Sequence, residues 1–208
     1  MNNEKPEWNE EMGLDMTGRE LLGMSMASLV FYLLIATILF HFFHEGGLID
    51  VITHGVAVGY QLLIGLGAGL AAAGIIIFFS TRRPVQPVLD DFTIFRMIKS
   101  TKFSRFDRIQ VSFFAGVGEE LLFRGAMQPL IGIWLTSLIF IAIHGYISFK
   151  SAGHVLFTVL LFGLSMMLGY LFEFAGLFAA MTAHAVYDLV MLEWVHATKK
   201  RDLMNNQA

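Results

Sequence analysis

A chain of 208 residues with 56% hydrophobic side chains and only 15% charged ones cannot cover itself with a water-facing surface, so it belongs in a bilayer. The net charge of −3 says little about partners, and nucleic acid is not expected among them. The absence of cysteine excludes disulfides, thiolate metal sites and a cysteine nucleophile.

The N-terminal stretch MNNEKPEWNEEMGLDMTGRE is acidic and lacks the basic n-region of a cleaved signal, so the first apolar segment is expected to stay in the mature protein. Hydropathy then places six apolar segments at about 21–43, 56–79, 109–126, 129–148, 154–173 and 175–196. Backbone polar groups in hydrocarbon must pair within their own segment, so these read as helices and the fold class as an all-α, polytopic membrane bundle. The first segment ends in HFFHEGG, where His41, His44 and Glu45 can meet water; no histidine completes an HExxH zinc motif there. His54, His154 and His196 also fall near segment ends and read as interfacial or structural. In the second segment, Gly65 and Gly69 form a GxxxG within GLGAGLAAAG, a pattern that lets helices approach closely inside a bundle.

The longest connection, residues 81–108, mixes basic residues with Phe92, Phe95, Phe103 and Phe106. Two readings stay open: a segment lying in the headgroup layer that could dock substrate, or a solvated positive loop. With the N-terminus in the cytoplasm, every Lys and Arg but Arg124 sorts to the inner side, and the outer connections near 44–55, 127–128 and 174 carry none. The expected organisation is an acidic cytoplasmic tail over 1–20, two helices within 21–80, a basic linker over 81–108, a four-helix core over 109–196 and a basic-polar tail over 197–208. Both ends are expected in the cytoplasm and the protein in the cell membrane.

The third segment holds Glu119, Glu120 and Arg124, charges that cost about 2.5–3.5 kcal/mol each near the bilayer centre. Glu120 and Arg124 are four apart and can pair on one helical face; Glu119 is turned away from that face by about 100° and has no partner in its own helix. His144 ends FIAIH in the fourth segment, and His184 and Asp188 share a face of the sixth. Six ionisable residues on three helices could converge on one polar pocket of the bundle. Purely structural pairs, Glu120 with Arg124 and His184 with Asp188, are the alternative, although Ser or Asn could fix helix register at a lower insertion cost. A dyad of Ser165 with His184 would leave both glutamates unexplained. Counted from the inner ends of the six segments, Glu119 and His184 lie deep, whereas His144 is only about 6 Å in, so convergence requires the fourth helix to run on past Tyr146 or to be tilted or displaced.

EELLFR (119–124) fits EExxxR, FIAIH (140–144) fits FxxxH and HAVYD (184–188) fits HxxxN or HxxxD, in that order and on separate helices. Over residues 85–196 the chain resembles the CPBP family of CAAX-processing and bacteriocin-processing intramembrane endopeptidases, also called Abi proteins. The resemblance implies peptide-bond hydrolysis beside the membrane, with a CPBP-like core over 109–196 acting on a membrane-associated peptide or protein, a lipidated one among the candidates. In that reading Glu119 is the general base, His144 holds the attacking water, His184 stabilises the oxyanion, and Glu120 with Arg124 positions Glu119. Asp188 departs from the commoner Asn and is expected to orient His184. No cofactor is certain; zinc, if it took part, would be held by Glu119, His144 and His184, and the reading leans to metal-free catalysis. A non-catalytic immunity or scaffold protein of the same fold is the alternative function.

Overall fold

The structure is a computed structural model that describes residues 17–101 and 103–205; the acidic stretch 1–16, Lys102 and residues 206–208 lie outside it. Every element among the described residues is helical: α1 (Gly18–Phe43), α2 (Leu48–Thr53), α3 (Val58–Ser80), a 3₁₀ turn (Gln86–Asp91), α4 (Thr93–Ser100), α5 (Arg105–Glu120), a π-helix (Leu121–Met127), α6 (Gln128–Ile143), α7 (Ala152–Phe174) and α8 (Leu177–Asn205). Thr17 with Glu20 and Ser104 with Asp107 form capping boxes that start α1 and α5.

Four helical stretches are long and apolar enough to cross a membrane: Gly18–Phe43, Val58–Ser80, Arg105–Ile143 and Ala152–Phe174. The third has 39 residues, and a straight helix of that length would measure about 58 Å, far beyond the hydrocarbon thickness. It is not straight. Gly132 has φ +80° and ψ 165°, a left-handed excursion that breaks the helix. Beyond it the chain doubles back, so that the rings of Phe123 and Phe140 lie 5.1 Å apart and Arg124 reaches Ser137. The expected pair of segments, 109–126 and 129–148 with a turn at 127–128, is therefore corrected. The reversal comes about four residues later, and the return leg, 133–143, covers only about 16 Å.

This shift resolves the depth conflict at His144. A short return leg that starts late ends level with Glu119, whose Oε2 lies 3.4 Å from His144 Nε2. Hydropathy missed the reversal because PLIGIWL is apolar on both sides of Gly132, and the glycine alone marks the break.

Side-chain contacts give the direction of each leg. Along α5 and the π-helix, Arg124 meets Ser165 and Gln128 meets Gly169, so α7 runs parallel to them. Arg108 meets Glu193 and Glu120 meets His184, so α8 runs opposite. Gly65 and Gly69 of α3 face the carbonyls of Ala179 and Ala183, where an added Cβ would sit 2.5 Å from each oxygen. The GxxxG thus seats α3 against α8, in parallel and inside the bundle. The start of α1, the end of α3, the start of α7 and the end of α8 consequently share one face, called the near face below.

The connection 81–104 lies on that near face. Neither a headgroup-inserted ring nor a solvated loop describes Phe92 and Phe95. Both are buried in the protein, against Phe157 of α7 at 4.9 and 5.7 Å. Phe106 is exposed, and α4 forms a wall of the cavity described next, which Phe95 and Phe103 line.

Candidate active site

A cavity of about 330 Å³ runs inward from the near face between α1, α4, α5, α7 and α8. Its walls are mostly apolar, and its lining includes Glu119, His144, His184 and Asp188, whose side chains meet there. The three helices expected to converge do so.

Glu120 and Arg124 occupy the layer behind. Both side chains are fully buried and pair at 3.2 Å, as their i,i+4 spacing predicts. The remaining guanidinium donors reach Gln128 at 3.5 Å, Ser137 at 3.3 Å and Ser165 at 2.7 Å, and the cation lies over the Phe140 ring. The π-helix contains this arginine; its wider turn precedes Pro129, which has no N–H to continue a regular ladder. His44 Nε2 bonds the Ala126 carbonyl within the same irregular stretch.

Glu120 has a second partner, because its Oε1 lies 2.8 Å from His184 Nδ1. A carboxylate paired to arginine can only accept, so His184 carries a proton on Nδ1 and turns Nε2 toward the cavity. There Nε2 stands 3.5 Å from Asp188 Oδ2 and 3.9 Å from Glu119 Oε2. The expectation that Asp188 orients His184 meets a different geometry: Glu120 holds the far nitrogen, and Asp188 faces the reactive one. Glu120 is likewise set against His184 and Arg124, not against Glu119.

His144 follows the same pattern. Its Nδ1 lies 2.7 Å from the Phe140 carbonyl, which cannot donate, so Nδ1 carries a proton and Nε2 is the nitrogen turned to the cavity. Both imidazoles therefore aim Nε2 at Glu119. Glu119 Oε2 is buried and makes no hydrogen bond among the described residues. Among the described residues no group of three or more His, Asp or Glu side chains is arranged to hold a metal ion. Glu119, His144 and His184 do not meet the geometry of the zinc site considered from sequence, and no step below runs through zinc.

The other histidines have structural partners or lie at helix ends. His54 Nε2 contacts the Glu173 carbonyl, and buried His154 sits between Ser151 and Asp91. Ser165 binds Arg124, as above, and has no contact with His184 that would make a dyad. Sequence reasoning missed Gln128, Ser137 and Ser165 as partners of Arg124, although the i,i+4 step from Arg124 to Gln128 is a legible signal for the first. It also missed Tyr146, whose ring stacks on His144.

Residues 103–190, which include all six candidate residues, match the sequence model of the family described as type II CAAX prenyl endopeptidase Rce1-like. Over that stretch the chain is similar to the Rce1-like family, its EExxxR, FxxxH and HxxxD motifs all lie inside the matched residues, and four of its helical stretches are long and apolar enough to cross a membrane. The chain is also 42% identical over 73 residues to Bacillus subtilis (strain 168) "Uncharacterized protein YpbD". That similarity covers 35% of this chain and 36% of the relative, so the chain spans about a third of the curated protein it matches. No solved structure matches the chain.

Proposed function

We propose that this protein is an intramembrane endopeptidase that hydrolyses a peptide bond of a membrane-associated peptide or protein, with Glu119 as general base. The observation that carries this reading is the Glu119 carboxylate oxygen: buried, without a hydrogen bond, and faced by the Nε2 atoms of two histidines fixed from behind. A carboxylate in so dry a setting that serves structure alone would leave its desolvation without compensation.

In the proposed step a water sits between Glu119 and His144. One of its protons goes to Glu119, while the other is held by the His144 Nε2 lone pair, which fixes the direction of attack. The water oxygen bonds the scissile carbonyl carbon, and the carbonyl electron pair moves onto oxygen. His184, as an imidazolium, donates Nδ1–H to Glu120 and Nε2–H to that oxyanion. The C–N bond then breaks, the oxyanion re-forms the carbonyl, and the proton taken by Glu119 passes to the leaving amine. One water is consumed and two peptides result.

The apolar cavity suits a substrate that brings an apolar or lipidated chain alongside the cleaved bond. The near face carries Arg82, Arg83, Arg96 and Lys99, which supports a cytoplasmic near face and cytoplasmic termini.

The test compares membrane-associated and secreted peptides from cells carrying wild type, Glu119→Gln or His184→Ala. Loss of the same processed termini in both variants is expected. An unchanged peptide set would sink the protease reading and favour a scaffold of the same fold. In washed membranes EDTA should leave the processing intact; loss on chelation with recovery on added zinc would overturn the metal-free step.

A further inference from the structure

The two histidines are oriented by different means. His184 Nδ1 is held by a charged partner, Glu120, whereas among the described residues the hydrogen bond at His144 Nδ1 goes to a backbone carbonyl one turn back on its own helix. A single bond of that kind leaves the ring free to rock about its long axis, so the precision of His144 must come from packing.

The end of α6 supplies it. Gly145 N–H bonds the Ala142 carbonyl and Tyr146 N–H bonds the Ile141 carbonyl, with Gly145 at φ +71°. This pair of bonds around a left-handed glycine is a Schellman motif with His144 as the C-cap. The reversal folds Tyr146 back over the residue that precedes the glycine. The His144 ring is thereby enclosed between Phe140, at 4.5 Å and 28°, and Tyr146, at 5.8 Å and 6°.

Tyr146 is itself pinned on two sides. The rings of Phe92 and Phe157 pack against it at 6.3 Å each. Its carbonyl accepts a hydrogen bond of 2.7 Å from the Thr158 hydroxyl, which in turn accepts the Ser148 N–H at 3.1 Å. One side chain of α7 thus ties down the non-helical stretch 144–151, which has no ladder of its own.

We infer that Tyr146 and Thr158 are positioning residues for His144: the tyrosine ring and its threonine anchor hold the imidazole in the orientation that aims Nε2 at Glu119. The role belongs to the ring of Tyr146 and not to its hydroxyl, so Phe can replace it and Leu cannot. Because Phe92 comes from the near-face connection, that connection also bears on His144 through Tyr146. This inference rests on the proposed hydrolytic site, and its test separates the two.

Histidine-selective ¹⁵N NMR of the purified full-length protein in detergent reads the ring tautomer without any substrate, with His144→Gln identifying the resonances. Wild type and Tyr146→Phe should show His144 protonated on Nδ1 alone. Tyr146→Leu and Thr158→Val should show averaging of the two tautomers, with the His184 resonances unchanged as the control for an intact fold. On the peptide whose processing Glu119→Gln abolishes, Tyr146→Leu should lower kcat about tenfold with KM unchanged, and Tyr146→Phe should restore it. An unmoved His144 tautomer in Tyr146→Leu overturns the inference, as does a Tyr146→Phe variant as impaired as Tyr146→Leu. A peptide set unchanged by Glu119→Gln overturns the protease reading alone and leaves the tautomer result standing.

Discussion

Glu119 and Glu120 are neighbours in sequence, equally apolar in setting, and opposite in circumstance. Glu120 is fully buried and divides its two oxygens between Arg124 and His184; the arginine it pairs with makes four side-chain hydrogen bonds in all. Glu119 opens onto a cavity and has a buried oxygen with no hydrogen bond. One layer of the bundle ties its buried charges into hydrogen bonds, and the layer beside it sets two imidazoles against a buried carboxylate oxygen that has none. Buried charge that is satisfied holds helices together, whereas buried charge that is left wanting is available for chemistry.

The sharpest way to break this comparison is Glu119→Gln. Removing a general base costs about 10²- to 10⁴-fold in rate. An oxygen that makes no hydrogen bond contributes little to the fold, so the melting temperature in detergent should not fall. Loss of stability together with activity would mean that Glu119 is structural after all.

Arg124→Met should do the reverse. It leaves Glu120 buried without its cation, and breaking such a pair costs about 3–5 kcal/mol. Thermal unfolding should drop steeply, and the yield of folded protein with it. The paired change Glu120→Gln with Arg124→Met should recover part of that loss, since no lone charge remains, yet it should stay inactive because His184 loses its orienting carboxylate. A milder probe of the same layer is Ser165→Ala, which removes one donor–acceptor contact to the guanidinium at 2.7 Å and should cost about 1–2 kcal/mol.

Much of this comparison was legible in the sequence, because a carboxylate, an arginine and two histidines stand out against apolar helices and helical spacing alone separates Glu120 from Glu119. What spacing could not supply was the third dimension. Gln128, Ser137 and Ser165 come to Arg124 from three different legs, and no periodicity within one segment announces a partner in another. The turn was misplaced for a related reason. Hydropathy sees the apolar content of residues 129–148 and not the backbone break at Gly132, so it lengthened the return leg and lifted His144 out of the site. Phe92 and Phe95 were not legible as buried side chains because burial in protein and insertion into lipid demand the same residues.

Asp188 tests the boundary between the two layers, and the smallest effect is expected there. If Asp188 were the residue that orients His184, as its i,i+4 spacing suggests, Asp188→Asn would change the tautomer preference and lower activity by orders of magnitude. Glu120 already holds His184 Nδ1 at 2.8 Å, and Asp188 stands on the Nε2 side at 3.5 Å with its side chain 28% exposed to the cavity. Its charge is therefore not required to fix the ring. An Asn amide at that position can still contact Nε2, and it adds an N–H that an ionised Asp lacks, one able to reach the developing oxyanion. Asp188→Asn should accordingly stay within about tenfold of wild type in kcat, a change of under about 1.4 kcal/mol. A hundredfold loss would move Asp188 into the layer that orients His184, and would leave Glu120 as a partner of Arg124 alone.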